Sequence, residues 1–439
     1  MKVSKFGGSS LCDAEHIRKV GQILSSDPSR VVAVVSAPGK RYSDDIKITD
    51  MLYTCQSLVA KGGSCEKEFA IIRDRFTEIA KDLGVSHNIT EALDEVYVNI
   101  SNGASAHYAA SRGEYLNAVL ISQYLGWEMI DAQDVVFITD EGTVEEKTYD
   151  AVASVLEEGK QYVFPGFFGQ GSDGKVRAFS RGGSDISGAI VARALGNKAS
   201  DGCIYENWTD VSGISKADPR VVHDAKVIKE MTYREVRELA AVGFNVFHED
   251  AIAPVREAGI PIQVKNTGRP EDEGTAIVAS RDVEQDPIIG ISVKKDYVRI
   301  GVHKVFLLKN PQARIRIEQD LRDAGLALEF ALQGIDDLTW YAQIHAGAEP
   351  DLASLADALR KEYSLESVSI EPGYAVTAVA GEGLKSQKKR LSHILPALMD
   401  EGVEVTFTLF DATPLTALFG VRESDAKTVI HTVYDAMFR

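Results

Sequence analysis

Over its first two-thirds the chain alternates short β-branched runs with long amphipathic stretches. Val31-Val32-Ala33-Val34-Val35 is unbroken by any polar residue, the pattern of a strand covered on both faces of a parallel sheet. Helical periodicity predicts helices over about 45–61, 65–83, 89–100 and 104–125. Further strands are expected at Tyr162–Pro165, Ala199–Tyr205, Ile260–Lys265 and Thr275–Ala279. Strand–helix alternation of this kind predicts an α/β sandwich with helices on both faces of one sheet.

After Ser280 the pattern changes. Residues 281–287 are mostly charged and end in Pro287, which suits a linker. Tyr297–His303, Leu326–Leu332, Leu338–His345 and Ser367–Glu371 read as strands, with helices at Gln312–Ala324 and Leu352–Glu362. That order is βαββαβ, a ferredoxin-like unit. A second pass follows: a strand at Tyr374–Ala380, a helix at about 385–401, strands at Val403–Phe410 and Leu415–Val421, and a helix at Asp425–Phe438. It lacks one strand, and the apolar run Ile288–Val293 ahead of the first copy supplies it. The expected domains are therefore 1–280, a linker at 281–287, a first small module at 294–371, and a second built from 288–293 plus 372–439.

Composition narrows the function. A chain of 439 residues with 44% hydrophobic and 26% charged residues is an ordinary globular protein, neither disordered nor fibrous. Its net charge of −17 disfavours nucleic acid and anionic membrane as partners, so an anionic substrate would need a local basic pocket. The four cysteines show no C-x-x-C spacing, and the nine histidines no H-E-x-x-H, so neither a disulfide framework nor a protein-built metal site is expected. Met1–Lys5 leads into glycines and charges, and no apolar run approaches the ~20 residues of a membrane span. A cytoplasmic protein is expected.

Three glycine clusters are candidates for phosphate binding. Gly169–Gly174 matches G-x-G-x-x-G but lies between two extended segments, with Ser172-Asp173-Gly174-Lys175 reading as a hairpin turn. Lys5-Phe6-Gly7-Gly8-Ser9-Ser10 is more informative: a strand carries Lys5 to a Gly-Gly turn that leads toward a helix at about 14–25. Glycines let backbone N–H groups approach a phosphate, and a helix N-terminus adds a favourable dipole. Ser180-Arg181-Gly182-Gly183-Ser184-Asp185 opens a second apolar helix in the same manner, with Arg and Asp beside the glycines.

These two loops, with Ser36-Ala37, Arg112-Gly113-Glu114 and Trp208-Thr209-Asp210-Val211, occur in the order found in aspartate kinases. The chain resembles a monofunctional aspartokinase over residues 1–280, and its tail looks like that family's paired ACT regulatory modules. The resemblance implies the amino-acid-kinase fold followed by two ACT modules, the first inserted into the second. It implies phosphoryl transfer from Mg-ATP to the side-chain carboxylate of L-aspartate, the first step of lysine, threonine and methionine biosynthesis. Lys5 and Asp185 would be catalytic. Thr49, Glu114, Arg181 and Ser184 would bind the amino acid, with Arg181 on the α-carboxylate and Glu114 on the α-ammonium. Lys5, Gly7, Gly8, Ser9, Ser36, Thr209, Asp210 and Arg220 would bind ATP, and Mg2+ would be held through the nucleotide phosphates. An amino-acid effector at an ACT interface and a homodimer or larger oligomer built through the ACT modules are also implied.

The chemistry is consistent with that set. A carboxylate of pKa about 3.9 needs no general base at neutral pH; the task is to align two anions and neutralise transferring charge. The chain departs from the family in three places. A tyrosine some relatives place by the nucleotide is Ser215, a nucleotide-binding lysine falls on Gly268 with Arg269 adjacent, and the usual His-Pro is His248-Glu249. Two alternatives stay open at this stage: a sister kinase for another small carboxylate, and a catalytically silent amino-acid sensor.

Overall fold

The computed structural model describes residues 1–85, 89–179, 182–198, 202–244, 251–413 and 415–439, apart from the side chains of 411–413. The chain forms two compact units that interleave in sequence. One takes Met1–Ile214, Val227–Arg237 and Asn245–Arg281; the other takes Ser215–Lys226, Glu238–Phe244 and Asp282–Arg439. Among the described residues no helix is long and apolar enough to cross a membrane.

The first unit holds strands β1 (Lys2–Phe6), β2 (Arg30–Val35), β3 (Glu128–Met129), β4 (Phe137–Ile138), β5 (Tyr162–Pro165), β6 (Phe168–Gly171), β7 (Val176–Ala178), β8 (Ile204–Thr209), β9 (Glu230–Thr232), β10 (Ile262–Asn266) and β11 (Thr275–Val278). Eight of them make one sheet in the order β3-β5-β2-β1-β8-β10-β11-β9. Its centre is parallel, and β11 runs antiparallel to β10. Side chains alternate across a strand. Phe6, Ala33, Val35, Val163 and Trp208 therefore face a core built with the helices Ala14–Ser25, Ile48–Ala60, Glu66–Leu83, Ile89–Ser101 and Ala106–Leu125. The opposite face carries the Gly183–Lys198 helix, flanked by Lys147–Val155 and Ile252–Glu257. This is the α/β sandwich read from the pattern.

Three local readings need correction or can now be settled. The strand expected at Ala199–Tyr205 runs instead over Ile204–Thr209; residues 199–201 lie outside the described set. Gly202, at φ 80°, breaks the extended path before it, and the polar pair Glu206-Asn207 disguised a strand with a buried centre as a loop. The helix expected from about 45 starts at Ile48, because Asp45 spends its carboxylate on Arg41 (3.0 Å) and Arg75 (3.1 Å). Gly169–Gly174 is the β6–β7 hairpin, turning through Gly174 at φ 76°, and no helix follows it at once.

The second unit contributes β12 (Gly290–His303), β13 (Leu326–Gln333), β14 (Asp337–Ile344), β15 (Ser367–Ala380), β16 (Val405–Thr413) and β17 (Thr416–Arg422). They form one antiparallel sheet, β13-β14-β12-β15-β17-β16. Among the described residues three apolar clusters line it, one of them centred on Tyr297, Tyr341, Tyr374 and Phe407; the other two include helices. Val298, Ile300, Ile317, Leu321 and Trp340 belong to one, with the helices Pro311–Asp323 and Leu352–Glu362. Ile291, Val379, Ile394, Leu398 and Val433 belong to the other, with Lys388–Asp400 and Ala426–Phe438. The pattern gave Ile288–Val293 and Tyr297–His303 as separate strands, and likewise Ser367–Glu371 and Tyr374–Ala380. Each pair is instead one continuous strand of 14 residues. Each passes through a register shift, where Asp296 (φ 63°) and Gly373 (φ 86°) take left-handed backbone. Lys295-Asp296 and Pro372-Gly373 looked like loops because a bulge uses the same residues as a turn.

Candidate functional site

Strands β1 and β8 are parallel neighbours, and their register places Lys5 opposite Asn207. Lys5 points away from Phe6, toward the start of the Gly183–Lys198 helix. There its ammonium meets the Asp185 carboxylate at 2.5 Å. The sequence separates these residues by 180 positions, and the fold makes them an ion pair.

Gly8 and Gly39 have steric reasons to be glycine. A Cβ on Gly8 would stand 2.9 Å from the Ala37 carbonyl oxygen, and one on Gly39 would stand 2.5 Å from the Gly8 backbone. The Gly7-Gly8 loop and the Ser36–Gly39 loop thus lie backbone to backbone, joined by Gly39 N–H donating to Gly8 O at 2.8 Å. Gly7 lies beside Lys5: a Cβ there would stand at ordinary contact distance, 3.8 Å, from the ammonium nitrogen. Ser9 is exposed on the same loop, and Ser36 is half-buried at the end of β2. Arg75, buried in the Glu66–Leu83 helix, donates to the carbonyls of Cys12 (3.2 Å) and Gly39, tying both loops to one helix. No motif marked Arg75; its signal was a lone arginine on an apolar helix face.

The second glycine cluster is packed as tightly. A Cβ on Gly183 would meet the Phe167 ring at 2.5 Å, and one on Gly166 would meet Ser184 at 2.8 Å. Gly182 takes φ 59°, and its carbonyl accepts from Asp185 N–H (2.9 Å) and Ile186 N–H (3.1 Å) to start the helix. Ser184 is half-buried there. Arg181 lies outside the described residues.

On the other side of the loops, the Ala106–Leu125 helix brings up Arg112, Glu114 and Asn117. Gly113 must be bare because a Cβ would stand 2.7 Å from the Ala37 side chain. Glu114 is 6% exposed. Burial pushes its carboxyl up to about 8, against the pull of hydrogen bonds from the Ala37 and Glu114 backbone N–H groups and of the Arg112 charge. Its Oε2 is buried and accepts no hydrogen bond. Asn117, three residues on, donates to Ser36 O at 2.7 Å and leaves its Oδ1 equally unmet. Two orphan acceptors on one helix face suit a donor-only group such as an ammonium. Thr49 is half-buried in the first turn of the Ile48–Ala60 helix, which packs on this same helix.

At the end of β8, Thr209 and Asp210 are in contact (3.2 Å), and Thr209 O accepts from Thr267 N–H at 2.9 Å. Ser10 bonds Thr267 at 2.7 Å, linking the first loop to this end of β10. Arg220 belongs to the second unit, where it is exposed and paired with Asp218 at 2.8 Å. Ser215 is in that unit too, and His248-Glu249 are outside the described residues. Cys12, Asp13 and His16 hold ligand atoms within 4.8 Å of one another. Asp13, however, caps the Ala14–Ser25 helix through His16 N–H (2.9 Å), so its carboxylate is already committed.

A cation–carboxylate pair between two glycine loops, each at a helix start, can hold a polyphosphate and neutralise charge on a group passing from it. Residues 1–266 match the amino acid kinase family. Aspartokinase 3 of Bacillus subtilis is 33% identical over 100% of this chain and 99% of its own. The crystal structure of an aspartate kinase from Clostridium acetobutylicum, described as an allosteric enzyme, is 36% identical, with a TM-score of 0.93 over 100% of both chains. Aspartokinase III of E. coli, solved in complex with aspartate and ADP, shares the fold over 100% of both chains, with a TM-score of 0.77 and 22% identity. With the fold, the paired loops and full-length similarity in agreement, the chain belongs to the amino acid kinase family and, within it, to the aspartokinases.

Proposed function

We propose that residues 1–280 transfer the γ-phosphoryl group of ATP to the side-chain carboxylate of L-aspartate, giving 4-phospho-L-aspartate at the head of lysine, threonine and methionine biosynthesis. The observation that carries the reading is the Lys5–Asp185 pair at 2.5 Å, which joins residues beside the Gly7-Gly8 and Gly182-Gly183 loops in a chain of this family. Lys5 would stabilise charge on the transferring group, while Asp185 orients it. Gly7, Gly8, Ser9 and Ser36 would donate to phosphate oxygens, with Thr209 and Asp210 serving the rest of the nucleotide. Glu114 would accept the α-ammonium, Arg181 would clamp the α-carboxylate, and Thr49 and Ser184 would complete the amino-acid contacts. Magnesium, bound to the nucleotide phosphates, would shield their charge.

The regulatory modules at 288–439 would join two chains into at least a dimer and hold an amino-acid effector between modules. In support, β13 and β16 are the edges of the second unit's sheet and need covering. Sedimentation at micromolar concentration tests this: a species of 47.8 kDa alone would contradict it.

The activity is tested by trapping the acyl phosphate as its hydroxamate from Mg-ATP and L-aspartate. Lys5→Ala should cut kcat by roughly 100-fold or more while the melting curve stays cooperative. Hydroxamate formed from another small carboxylate but not from L-aspartate would refute the substrate.

A further inference from the structure

Asn207 opens the triplet Asn207-Trp208-Thr209, of which the kinase reading uses Trp208 and Thr209 and leaves Asn207 unassigned. It is 5% exposed, so the triplet is no acceptor for a glycan in the folded chain. Its side-chain amide donates to Asp185 Oδ1 at 3.0 Å, the same oxygen that Lys5 meets at 2.5 Å. Lys5 and Asn207 are register partners on β1 and β8, so both approach the carboxylate from one sheet face. Two residues earlier on β8, the Tyr205 hydroxyl donates to the Asp185 main-chain carbonyl at 3.1 Å. Gly188 leaves room for that ring: a Cβ there would stand 2.5 Å from the hydroxyl oxygen. Strand β8 therefore grips Asp185 twice, once by its backbone and once by its carboxylate.

We infer that Asn207 is a positioning residue of the phosphoryl-transfer site, holding the Asp185 carboxylate toward Lys5. The inference rests on the kinase reading above. A neutral amide is suited to this task. It steers the carboxylate without adding a second cation that would compete with Lys5 for the phosphates, and it stays bonded to Asp185 when Lys5 turns to them. An isosteric carboxylate would do the reverse, since two close carboxylates share one proton. The titratable groups facing Asn207, among the described residues, are Lys5 from β1, Asp185 from the Gly183–Lys198 helix and Tyr205 on its own strand; β10 sets Val264 opposite it.

The test measures kcat and both KM values for wild type, Asn207→Ala and Asn207→Asp between about pH 6 and 9, with melting curves on the same samples. Asn207→Ala should lose roughly 10- to 100-fold in kcat, with each KM within about threefold of wild type. In Asn207→Asp the protonated acid can donate as the amide does. The ratio of its kcat to that of wild type should therefore rise as pH falls and drop as pH rises. A merely structural role would lower the melting temperature of both variants without tilting that ratio. A flat ratio, an Asn207→Ala kcat within about twofold of wild type, or a loss confined to KM overturns the inference. If wild type itself forms no hydroxamate from L-aspartate, the kinase reading fails instead, and the two failures are told apart by that one control.

Discussion

Glu206 and Glu114 are both buried glutamates of the first unit, 0% and 6% exposed, yet their carboxyls are driven in opposite directions. Around Glu206 every approach is a donor: Ser4 at 2.9 Å, Arg30 at 2.7 and 3.2 Å, Trp208 Nε1 at 2.9 Å, and Lys2 at 3.2 Å. Burial pushes that carboxyl up, but the Arg30, Trp208 and Lys2 interactions outweigh it and hold it below the ordinary value. Glu114 meets the same desolvation with backbone donors on one oxygen and none on the other, and ends at about 8. A saturated buried charge binds the fold together; an unsaturated one is kept ready for something that arrives later. Glu206 fixes Trp208, which stacks on Phe6 at 6.0 Å just before the Gly7-Gly8 loop. Glu114 lies against the Ala37 backbone N–H instead.

The largest effect should come from breaking the saturated site. Glu206→Ala strands the buried Arg30 guanidinium in the sheet and should cost about 3–5 kcal/mol of stability, read by urea denaturation. The pH dependence has a definite sign. Because the folded carboxyl lies below 4.5, its contribution is complete above that value and is lost as pH falls through the folded one. Glu206→Gln should flatten this acid limb. A loss under about 1 kcal/mol in Glu206→Ala would mean the network is ornamental rather than structural.

Glu114 should behave in the opposite way on both counts. Its folded carboxyl is raised, so stability falls as pH rises from the ordinary 4.5 through about 8. Glu114→Gln should then melt no lower than wild type at alkaline pH. Function moves the other way: if the ionised carboxylate takes the substrate ammonium, kcat/KM for L-aspartate should climb with pH through about 8 in wild type. In Glu114→Gln that limb should vanish and kcat/KM should fall roughly 10- to 100-fold. A limb that persists in the variant assigns the titration to another group.

This contrast was only half legible in the sequence. The glycine loops and Lys5 could be read because glycine at a strand–helix turn has few other uses, and the helical periods around them were strong. Arg112-Gly113-Glu114 could be found by family order, but whether Glu114 was solvated or dry depends on Ala37, which is 77 positions away. Glu206 and Asn207 were hidden for a related reason. Polar residues in a buried strand look like loop residues until the register reveals that Ser4, Lys5 and Arg30 face them. The bulges at Asp296 and Gly373 disguised two long strands as four short ones. In each case the missing information was a partner far away in the chain.

The same criterion, applied to the second unit, leads to the smallest expected effect. The amino-acid effector proposed above needs groups left unsatisfied, and the start of the first module's helix, Lys309–Arg314, can be judged on that ground. That helix start is already satisfied from within. Asn310 caps it by accepting from Ala313 N–H at 3.3 Å, and Pro311 brings no N–H to offer a ligand. Arg314 is spent on Glu318 at 2.9 Å and on Gln333 at 3.0 Å. The comparable stretch of the second module, Phe410–Leu415, falls largely outside the described side chains. With no buried orphan like Glu114 Oε2 at this helix start, there is little for an incoming ammonium or carboxylate to satisfy. Lysine or threonine at about 1 mM, roughly ten times a ~0.1 mM affinity, should therefore leave more than about half the aspartate-dependent activity. Near-complete inhibition by either, or by both together, would show that a satisfied helix start can still be opened by a ligand, and the contrast drawn from the two glutamates would then hold for the first unit alone.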